Sequence, residues 1–164
     1  MEPRPAADSR SILVKWMGIT DANNAGFVHG GTVMYLVDEV AGLAAIRHCG
    51  GRVVTAGVDR MAFLNPVHVG ELLHVRAMVN AAWRTSMEVG VRVEAENPHT
   101  GVIRHTNTAY LTMVAVAQDG RPVEVPPLLP GTPEEERRAQ EAQLRRQNRL
   151  AERDQITQAR DRRT

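Results

Sequence analysis

The sequence predicts an α+β fold in which one antiparallel sheet curls around one long helix. One short strand precedes a largely apolar helical segment, and four strand-like segments follow it with only turn signals between them. Consecutive strands joined by short turns favour a meander over crossover units. A single sheet and a single apolar helix bury each other best when the sheet wraps the helix. Such a sheet keeps an open edge and an uncovered face, so we expect a dimer.

The first half of the chain supplies one strand and the helix. Residues 1–9 are polar and contain proline, so we expect a disordered leader. Residues 11–17 are predicted to form a short strand, and a loop rich in Asp, Asn, Ala and Gly follows it. Apolar residues then recur at helical spacing over residues 30–48, and Gly50-Gly51 provide the stop that commonly follows a helix.

Four strand candidates follow the helix. The third is the clearest, because apolar and polar side chains alternate along its whole length. An Asn-Pro-His-Thr-Gly turn leads from it into the last candidate, which is long and rich in Thr and Val. The candidates cover residues 53–64, 71–83, 87–95 and 102–117.

The C-terminal part of the chain changes character. After a domain of residues 10–130, residues 131–164 are mostly Arg, Glu, Gln and Ala. Thr132 is a good N-cap, with Pro133 at the first helical position and Glu135 three residues after the cap. An Arg-rich tail could touch RNA or phosphate. Acidic residues are interleaved throughout, however, which favours a solvated charged helix that frays toward its end.

Composition sets modest limits on function. At 164 residues the chain suits one domain with its own core, and a net charge of +1 gives no strong field toward nucleic acid or a membrane surface. Cys49 is the only cysteine, which excludes an internal disulfide and is typical of a reducing compartment. No apolar run reaches the roughly 18–20 residues that span a bilayer. We therefore expect a cytoplasmic protein without nucleic-acid or membrane partners.

The most informative chemical feature is a carboxylate inside the apolar helix. Asp38 lies in the middle of the apolar pattern, beside Val37 and Ala41. An ionised carboxylate in such a place costs several kcal/mol unless it is paired or put to use. Upstream, Gly30-Gly31 open the helix, so free backbone N–H groups point beyond its N-terminus.

A helix end that stabilises an anion, with a carboxylate about two turns away, is the minimal equipment for hydrolysing an acyl compound. The residues alone leave an alternative open, in which Asp38 is a core acid hydrogen-bonded to a neighbouring loop. No Ser-His-Asp set with recognisable local motifs is evident, since Ser86 lies outside any nucleophile elbow.

Six segments carry a family resemblance: DANNAGFVHGG, LVDEVAGLAAIRHC, VVTAGVDRMAF, RTSMEVGVRVEAEN, TNTAYLTMVAV and VPPLLPGTPEEERR. They resemble the hotdog-fold acyl-CoA thioesterases, in particular the cytosolic long-chain (brain-type) acyl-CoA hydrolases, over about residues 11–140. Several thioesterase groups of this fold share HGG followed by an acid on the helix, whereas the whole ordered series is much more specific. The His-Pro-Gly motif expected of hotdog dehydratases does not occur.

The resemblance implies hydrolysis of fatty acyl-CoA to a free fatty acid and CoA, with no cofactor because the CoA thioester is the substrate. We also expect no metal, because His68 and His74 are six residues apart, which fits no usual metal spacing, and lack a companion Cys or carboxylate cluster. It makes Asp38 the general base or the nucleophile, and Asn23 a residue that holds the water or the thioester. The backbone at Gly30 and Gly31 matches the oxyanion site. Whether Asp38 attacks directly or through water stays open.

The resemblance also implies residues that approach the phosphates and pantetheine of CoA. Arg84 and Arg104 could instead be solvated sheet charges, and His29 could shape its loop or line the acyl entrance. The residues predicted to bind CoA are His29, Arg84, Thr85, Ser86, Arg104, Thr106 and Asn107.

Quaternary structure is implied by the resemblance as well. In the vertebrate members two hotdog units are fused, and the Asn and Asp of one site can come from different halves. This chain has one unit, so we expect a homo-oligomer, a dimer and then a trimer of dimers, in which Asp38 faces the partner's Asn23. The competing hypothesis is a non-catalytic hotdog module that binds CoA or an acyl carrier, with the charged C-terminal segment as its only support.

Overall fold

The computed structural model describes residues 1–59 and 61–161. Its strands are β1 (Arg4–Pro5), β2 (Ser11–Trp16), β3 (Arg52–Val58), β4 (Ala62–Phe63), β5 (Leu72–Ala82), β6 (Ser86–Glu96), β7 (Ile103–Val116) and β8 (Leu128–Leu129). Its α-helices are α1 (Gly30–Cys49) and α2 (Pro133–Asp161). The main sheet is antiparallel with the order β2-β5-β6-β7-β3, and β4 also pairs with β7. This sheet curls around α1, which confirms the predicted α+β architecture.

Local sequence signals place most elements well. The structure moves each end of the last three predicted strands by one residue. The segment predicted as one strand over residues 53–64 is instead divided into β3 and β4. The register shifts between Thr55 and Gly57, which is typical of a bulge that bends an edge strand.

Helix α1 is held at both ends. His29 is the N-cap, and Gly50 takes the left-handed conformation with φ 72° and donates its N–H to the Ile46 carbonyl at 2.7 Å. The buried face of α1 packs on β5 and β6 and consists of small and medium apolar side chains. These are Val33, Leu36, Val37, Val40, Ala41, Ala44 and Ala45.

The opposite side of α1 is exposed in the single chain, and Asp38 lies there. The prediction of a buried Asp38 is wrong for one protomer: a residue next to Val37 is turned about 100° away on a helix with 3.6 residues per turn. The exposed side continues onto β3, which is an edge strand. We call this surface the α1–β3 face; its exposed large apolar residues are Met34, Tyr35, Leu43, Ile46, Val54 and Val58.

Residues 4–9, predicted as part of a disordered leader, are structured. β1 pairs in parallel with β8, and a short 3-10 helix (Ala6–Ser9) follows it. Arg4 donates to the carbonyl of His48 at 2.8 Å, at the C-terminal end of α1, and the Val79 N–H donates to Ser9 Oγ at 2.9 Å. The polar composition predicted disorder because these partners are distant in sequence.

Helix α2 covers the outer face of the sheet. The predicted N-cap is confirmed, since the Glu135 N–H donates to Thr132 Oγ1 at 3.2 Å. Ala142 is buried against the sheet, and Arg145 lies over the Tyr110 ring at 3.7 Å. The prediction of a solvated helix therefore fails for the first half of α2, whereas residues 150–161 are exposed. No helix in the described part of the chain is long and apolar enough to cross a membrane.

Candidate active site

A cavity of about 360 Å³ opens at the N-terminal end of α1. Its walls come from the loop before the helix, from the first turn of α1, and from the segment that follows β4. The lining is mostly apolar, as is usual for a site that takes an acyl or alkyl group. The lining residues are Asn23, Phe27, Val28, Gly30, Val33, Phe63, Leu64, Asn65, Pro66 and Val67.

Asn23 lies at the cavity, as its predicted role requires. Its Oδ1 accepts the N–H groups of Ala25 at 2.9 Å and Phe27 at 3.2 Å, and its own N–H donates to the Phe27 carbonyl at 2.7 Å. This local turn is typical of asparagine. Its Nδ2 has no acceptor among the described residues, so this amide can donate to a water or a carbonyl oxygen.

The helix N-terminus offers one backbone donor rather than two. The Gly31 N–H donates to His29 Nδ1 at 2.9 Å, so the prediction that both glycine N–H groups are free is wrong for Gly31. The Gly30 N–H has no acceptor within the described part of the chain. A side chain at Gly30 would meet the Phe63 ring at 3.3 Å, so glycine keeps this end of the cavity open.

His29 is tied into the loop. Because its Nδ1 accepts from Gly31, the neutral ring carries its proton on Nε2. Its backbone N–H donates to the Asp21 carbonyl at 2.7 Å. These contacts favour the loop-shaping role, and contact of His29 with CoA stays a prediction.

Asp38 is held by one side chain. Thr55 Oγ1 donates to Asp38 Oδ1 at 2.6 Å, and both residues are exposed in the single chain. Thr55 lies at the β3 bulge, where strands commonly redirect a side chain. Sequence reasoning missed Thr55; the available signal was a hydroxyl residue just before Gly57 in an aliphatic strand.

One protomer does not bring Asp38 to the cavity. Asp38 follows Gly30 by eight residues, which is about 12 Å along the axis of α1. A thioester carbonyl has to lie about 3 Å from both the attacking group and the oxyanion donor. Asp38 instead borders the α1–β3 face, so the two halves of the predicted machinery lie apart within one chain.

The residues predicted to bind CoA separate into two groups. Arg84 and Thr85 lie in the turn between β5 and β6, and Ser86 begins β6. Arg104 pairs with Ala95, nine residues beyond Ser86 and therefore about 30 Å away along the strand. Within one protomer the two groups lie at opposite ends of the sheet.

The β7 group is bonded inside the protein. Arg104 forms a two-bond ion pair with Glu71. Thr106 is buried and donates to the Val93 carbonyl at 3.2 Å. Asn107 is buried and donates to the Ala62 carbonyl at 3.0 Å. Arg84 is exposed. No group of three or more His, Cys, Asp or Glu in the described ranges could hold a metal ion.

Comparisons with known proteins agree with this architecture. Residues 25–102 match the family model of the thioesterase superfamily. The cytosolic acyl coenzyme A thioester hydrolase of Rattus norvegicus is 36% identical over 146 residues, which is 88% of this chain and 38% of that protein. The chain thus spans well under half the length of this relative.

Two solved structures cover nearly the whole chain. An apo-hexameric acyl-CoA thioesterase has a TM-score of 0.90 and 38% identity, covering 93% of this chain and 97% of that one. The acyl-CoA hydrolase of Staphylococcus aureus, in complex with butyryl coenzyme A, coenzyme A and coenzyme A disulfide, has a TM-score of 0.87 and 31% identity, with 95% of each chain covered. Alanine variants of one Asn, one Asp and one Thr of that enzyme have also been solved, and these positions are separated by 15 and 17 residues.

A curled antiparallel sheet around a central helix, shared with these structures at high TM-score, is the hotdog fold of the thioesterases. The chain belongs to the thioesterase superfamily, among its acyl-CoA hydrolases.

Proposed function

We propose that this protein hydrolyses fatty acyl-CoA thioesters at sites built from two protomers, with Asp38 as the general base or nucleophile. The proposal rests on the spacing of three residues, which matches that of three residues altered in a related enzyme, and on a contact between two of them. Asn23, Asp38 and Thr55 repeat the separations of 15 and 17 residues between the Asn, Asp and Thr altered in the S. aureus enzyme. Asp38 and Thr55 are in addition joined by a 2.6 Å hydrogen bond.

The proposed chemistry needs only groups that the chain supplies. Thr55 holds Oδ1 of Asp38, which leaves Oδ2 to take a proton from water. The resulting hydroxide attacks the thioester carbon, and Asn23 and the Gly30 N–H of the partner's site stabilise the oxyanion. The C–S bond then breaks, and the leaving CoA thiolate takes the proton that Asp38 removed from water, which restores the Asp38 carboxylate. A base of this kind contributes about 10²–10⁴ in rate, and one oxyanion donor about 10²–10³.

In an alternative mechanism, Asp38 attacks the thioester carbon directly. Its carboxylate would form a mixed anhydride with the acyl group, releasing CoA before water cleaves the anhydride. A single turnover in H₂¹⁸O identifies direct attack when water cleaves the anhydride at the aspartyl carbonyl, and trapping of the anhydride with hydroxylamine identifies it when water attacks the acyl carbonyl. Label enters the Asp38 carboxylate only when that carboxylate is the nucleophile.

A second copy of the chain completes the proposed site. Edge strand β3 and the exposed apolar residues of α1 form a continuous surface that is too apolar to stay in water. The hexameric state of a relative with 38% identity supports a homo-oligomer, which we propose is a trimer of dimers. Co-refolding inactive Asp38→Ala and Asn23→Ala chains should return part of the activity. Verified mixed oligomers without activity would contradict the shared site.

Release of free thiol from a panel of acyl-CoA esters tests the activity itself. The apolar cavity lining supports fatty acyl groups, and the cytosolic rat relative supports membership of the long-chain group and a cytoplasmic location. Turnover of none of the esters would favour the non-catalytic CoA-binding module. The sequence support for that alternative is the charged C-terminal segment, whose residues 150–161 are exposed.

A further inference from the structure

One wall of the cavity is a segment without regular structure. We call residues 64–70 the wall segment; four of its residues, 64 to 67, line the cavity. On one side it is bonded to β7: the Leu64 N–H donates to the Thr106 carbonyl at 2.9 Å, and Asn65 Nδ2 donates to the His105 carbonyl at 2.9 Å. These bonds fix the start of the segment.

The other side of the wall segment supports the loop that carries Asn23. The Val28 N–H donates to the Val67 carbonyl at 2.8 Å. The rings of Phe27 and His68 meet edge to face with their centres 5.3 Å apart. A displacement of the wall segment would therefore move both the cavity wall and the loop of Asn23.

A buried ion pair holds the end of the wall segment. Arg104 donates to Glu71 Oε1 at 2.6 Å and to Glu71 Oε2 at 2.7 Å, and it also donates to the Pro66 carbonyl at 2.7 Å. Glu71 Oε2 accepts the His68 N–H at 2.8 Å as well. Glu71 is 6% exposed and the Arg104 side chain 29% exposed. The ion pair thus bonds the backbone of the wall segment at two points, the Pro66 carbonyl and the His68 N–H.

We propose that Arg104 and Glu71 are positioning residues for thioester hydrolysis, which fix the wall segment and through it the loop of Asn23. The inference rests on the proposed function for the reaction, and it replaces the predicted contact of Arg104 with a CoA phosphate. The chemistry of the pair requires arginine, because only a planar guanidinium can serve both carboxylate oxygens and a carbonyl together. Burial acts to raise the pKa of Glu71, but the bonds from Arg104 and the His68 N–H outweigh it and hold that pKa below its usual value.

Arg104 and Glu71 affect the rate of thioester hydrolysis by fixing the position of the reacting groups. Reacting groups have to be held within fractions of an ångström, and a misplacement of 1 Å can cost about 10²-fold. Loss of Arg104 leaves Glu71 buried and unpaired, and loss of Glu71 leaves Arg104 partly buried without its carboxylate. The wall segment therefore rearranges so that the remaining charge reaches water. Hydrolysis of an acyl-CoA and of an acyl-pantetheine ester, which lacks the nucleotide of CoA, should therefore slow alike.

The test compares Arg104→Gln, Glu71→Gln and the double variant with wild type, on an acyl-CoA and on the corresponding acyl-pantetheine ester. We expect kcat/KM to fall about tenfold or more for both esters, by the same factor, and the double variant to lose no more than the worse single variant. Arg104→Lys, which keeps the charge but not the fork, should fall between wild type and Arg104→Gln. Arg121→Gln is the matched control, because it removes an arginine from an exposed pair with Asp119 in a turn.

Amide hydrogen exchange supplies the second readout. Protection of residues 64–70 should fall in Arg104→Gln, and in Arg104→Lys if the first variant fails to fold, but not in Arg121→Gln. Unchanged protection overturns the proposal even if wild type hydrolyses no thioester, so the two proposals fail separately. A loss confined to acyl-CoA would make Arg104 a phosphate ligand instead. If activity falls only in proportion to the fraction of folded protein, the Arg104–Glu71 pair has a purely structural role.

Discussion

Asp38 and Glu88 are two carboxylates with opposite surroundings. Asp38 is exposed in one protomer, and among the described residues its carboxylate accepts a hydrogen bond from the Thr55 hydroxyl alone. Glu88 is 0% exposed and lies on β6 beneath α2, with Arg145 on both of its oxygens at 2.7–3.2 Å and Asn80 at 3.2 Å. A carboxylate with an unused oxygen can take a proton from water. A carboxylate whose oxygens are all occupied by cations cannot, and it serves to hold two elements together.

The largest expected effect is on the exposed carboxylate. Asp38→Ala should reduce turnover at least about a hundredfold, as for loss of a general base or nucleophile. Asp38 is exposed, and the Thr55 hydroxyl that bonds it also contacts Met113 Sδ at 3.4 Å, so the free energy of unfolding should change little. Steady-state kinetics and denaturant unfolding on the same preparation measure both quantities. Near wild-type turnover would remove Asp38 from the mechanism.

The buried carboxylate should show the reverse pattern. Arg145→Ala leaves Glu88 buried and poorly paired, so we expect unfolding to become easier by about 3 kcal/mol, the lower end for breaking a buried pair. The lower end applies because Arg149 lies 3.8 Å from Glu88 and Asn80 also remains. Activity per folded molecule should be kept.

Arg137→Ala is the matched control for Arg145→Ala, and urea unfolding measures the stability of both variants. Arg137 lies on the same helix but pairs with exposed carboxylates, which contribute little. If the two variants unfold alike, the Glu88 cluster does not hold α2 to the sheet.

A buried histidine gives a pH dependence of stability. His48 is 1% exposed, bonds the Pro126 carbonyl through Nε2 at 2.9 Å, and has a buried Nδ1 without a partner among the described residues. Burial lowers its pKa below the ordinary 6.5, with Arg4 adding to the effect against the Pro126 bond. Below pH 6.5 His48 therefore binds a proton in the unfolded chain more readily than in the folded chain.

Stability should accordingly fall as pH drops from 6.5 toward the lower folded pKa, by up to about 1.4 kcal/mol per pH unit. Above 6.5 the slope contributed by His48 fades, because the unfolded chain also loses the proton. His48→Gln keeps a donor for Pro126 without titrating, so its slope between pH 5 and about 6.5 should be shallower than that of wild type. Equal slopes in denaturant unfolding would show that His48 is not the group responsible.

The smallest effect should come from the end of α2. Residues 150–161 are exposed, so a chain that stops after Leu150 should keep its stability within about 0.5 kcal/mol and its activity. A chain that stops after Gly131 uncovers Glu88 and the sheet beneath Ala142, and it should unfold more readily. Loss of the oligomer on gel filtration after the shorter deletion would assign residues 151–161 to an interface between protomers.

The sequence predicted the elements well and the environment of particular side chains less well. Helix α1, the strand boundaries and the Thr132 cap follow from local periodicity and capping chemistry. The helical pattern could not distinguish the two sides of α1, because apolar residues occur on both sides and Asp38 follows Val37 directly. Glu88 is one of the alternating charges of β6, and nothing local indicates that α2 will cover it.

By itself, the sequence determined α1, the start of α2 and the main strands apart from the division into β3 and β4. It also determined the helix-opening glycines and the ordered residues that resemble the acyl-CoA hydrolases. Only the tertiary structure decided that Arg145 of α2 covers Glu88 and that Arg104 pairs with Glu71. The reason is physical: helices and strands arise from contacts a few residues apart, whereas burial and pairing depend on groups that distant segments bring within 3 Å. Arg104 and Glu71 are 33 positions apart and belong to one site only because the sheet brings them together.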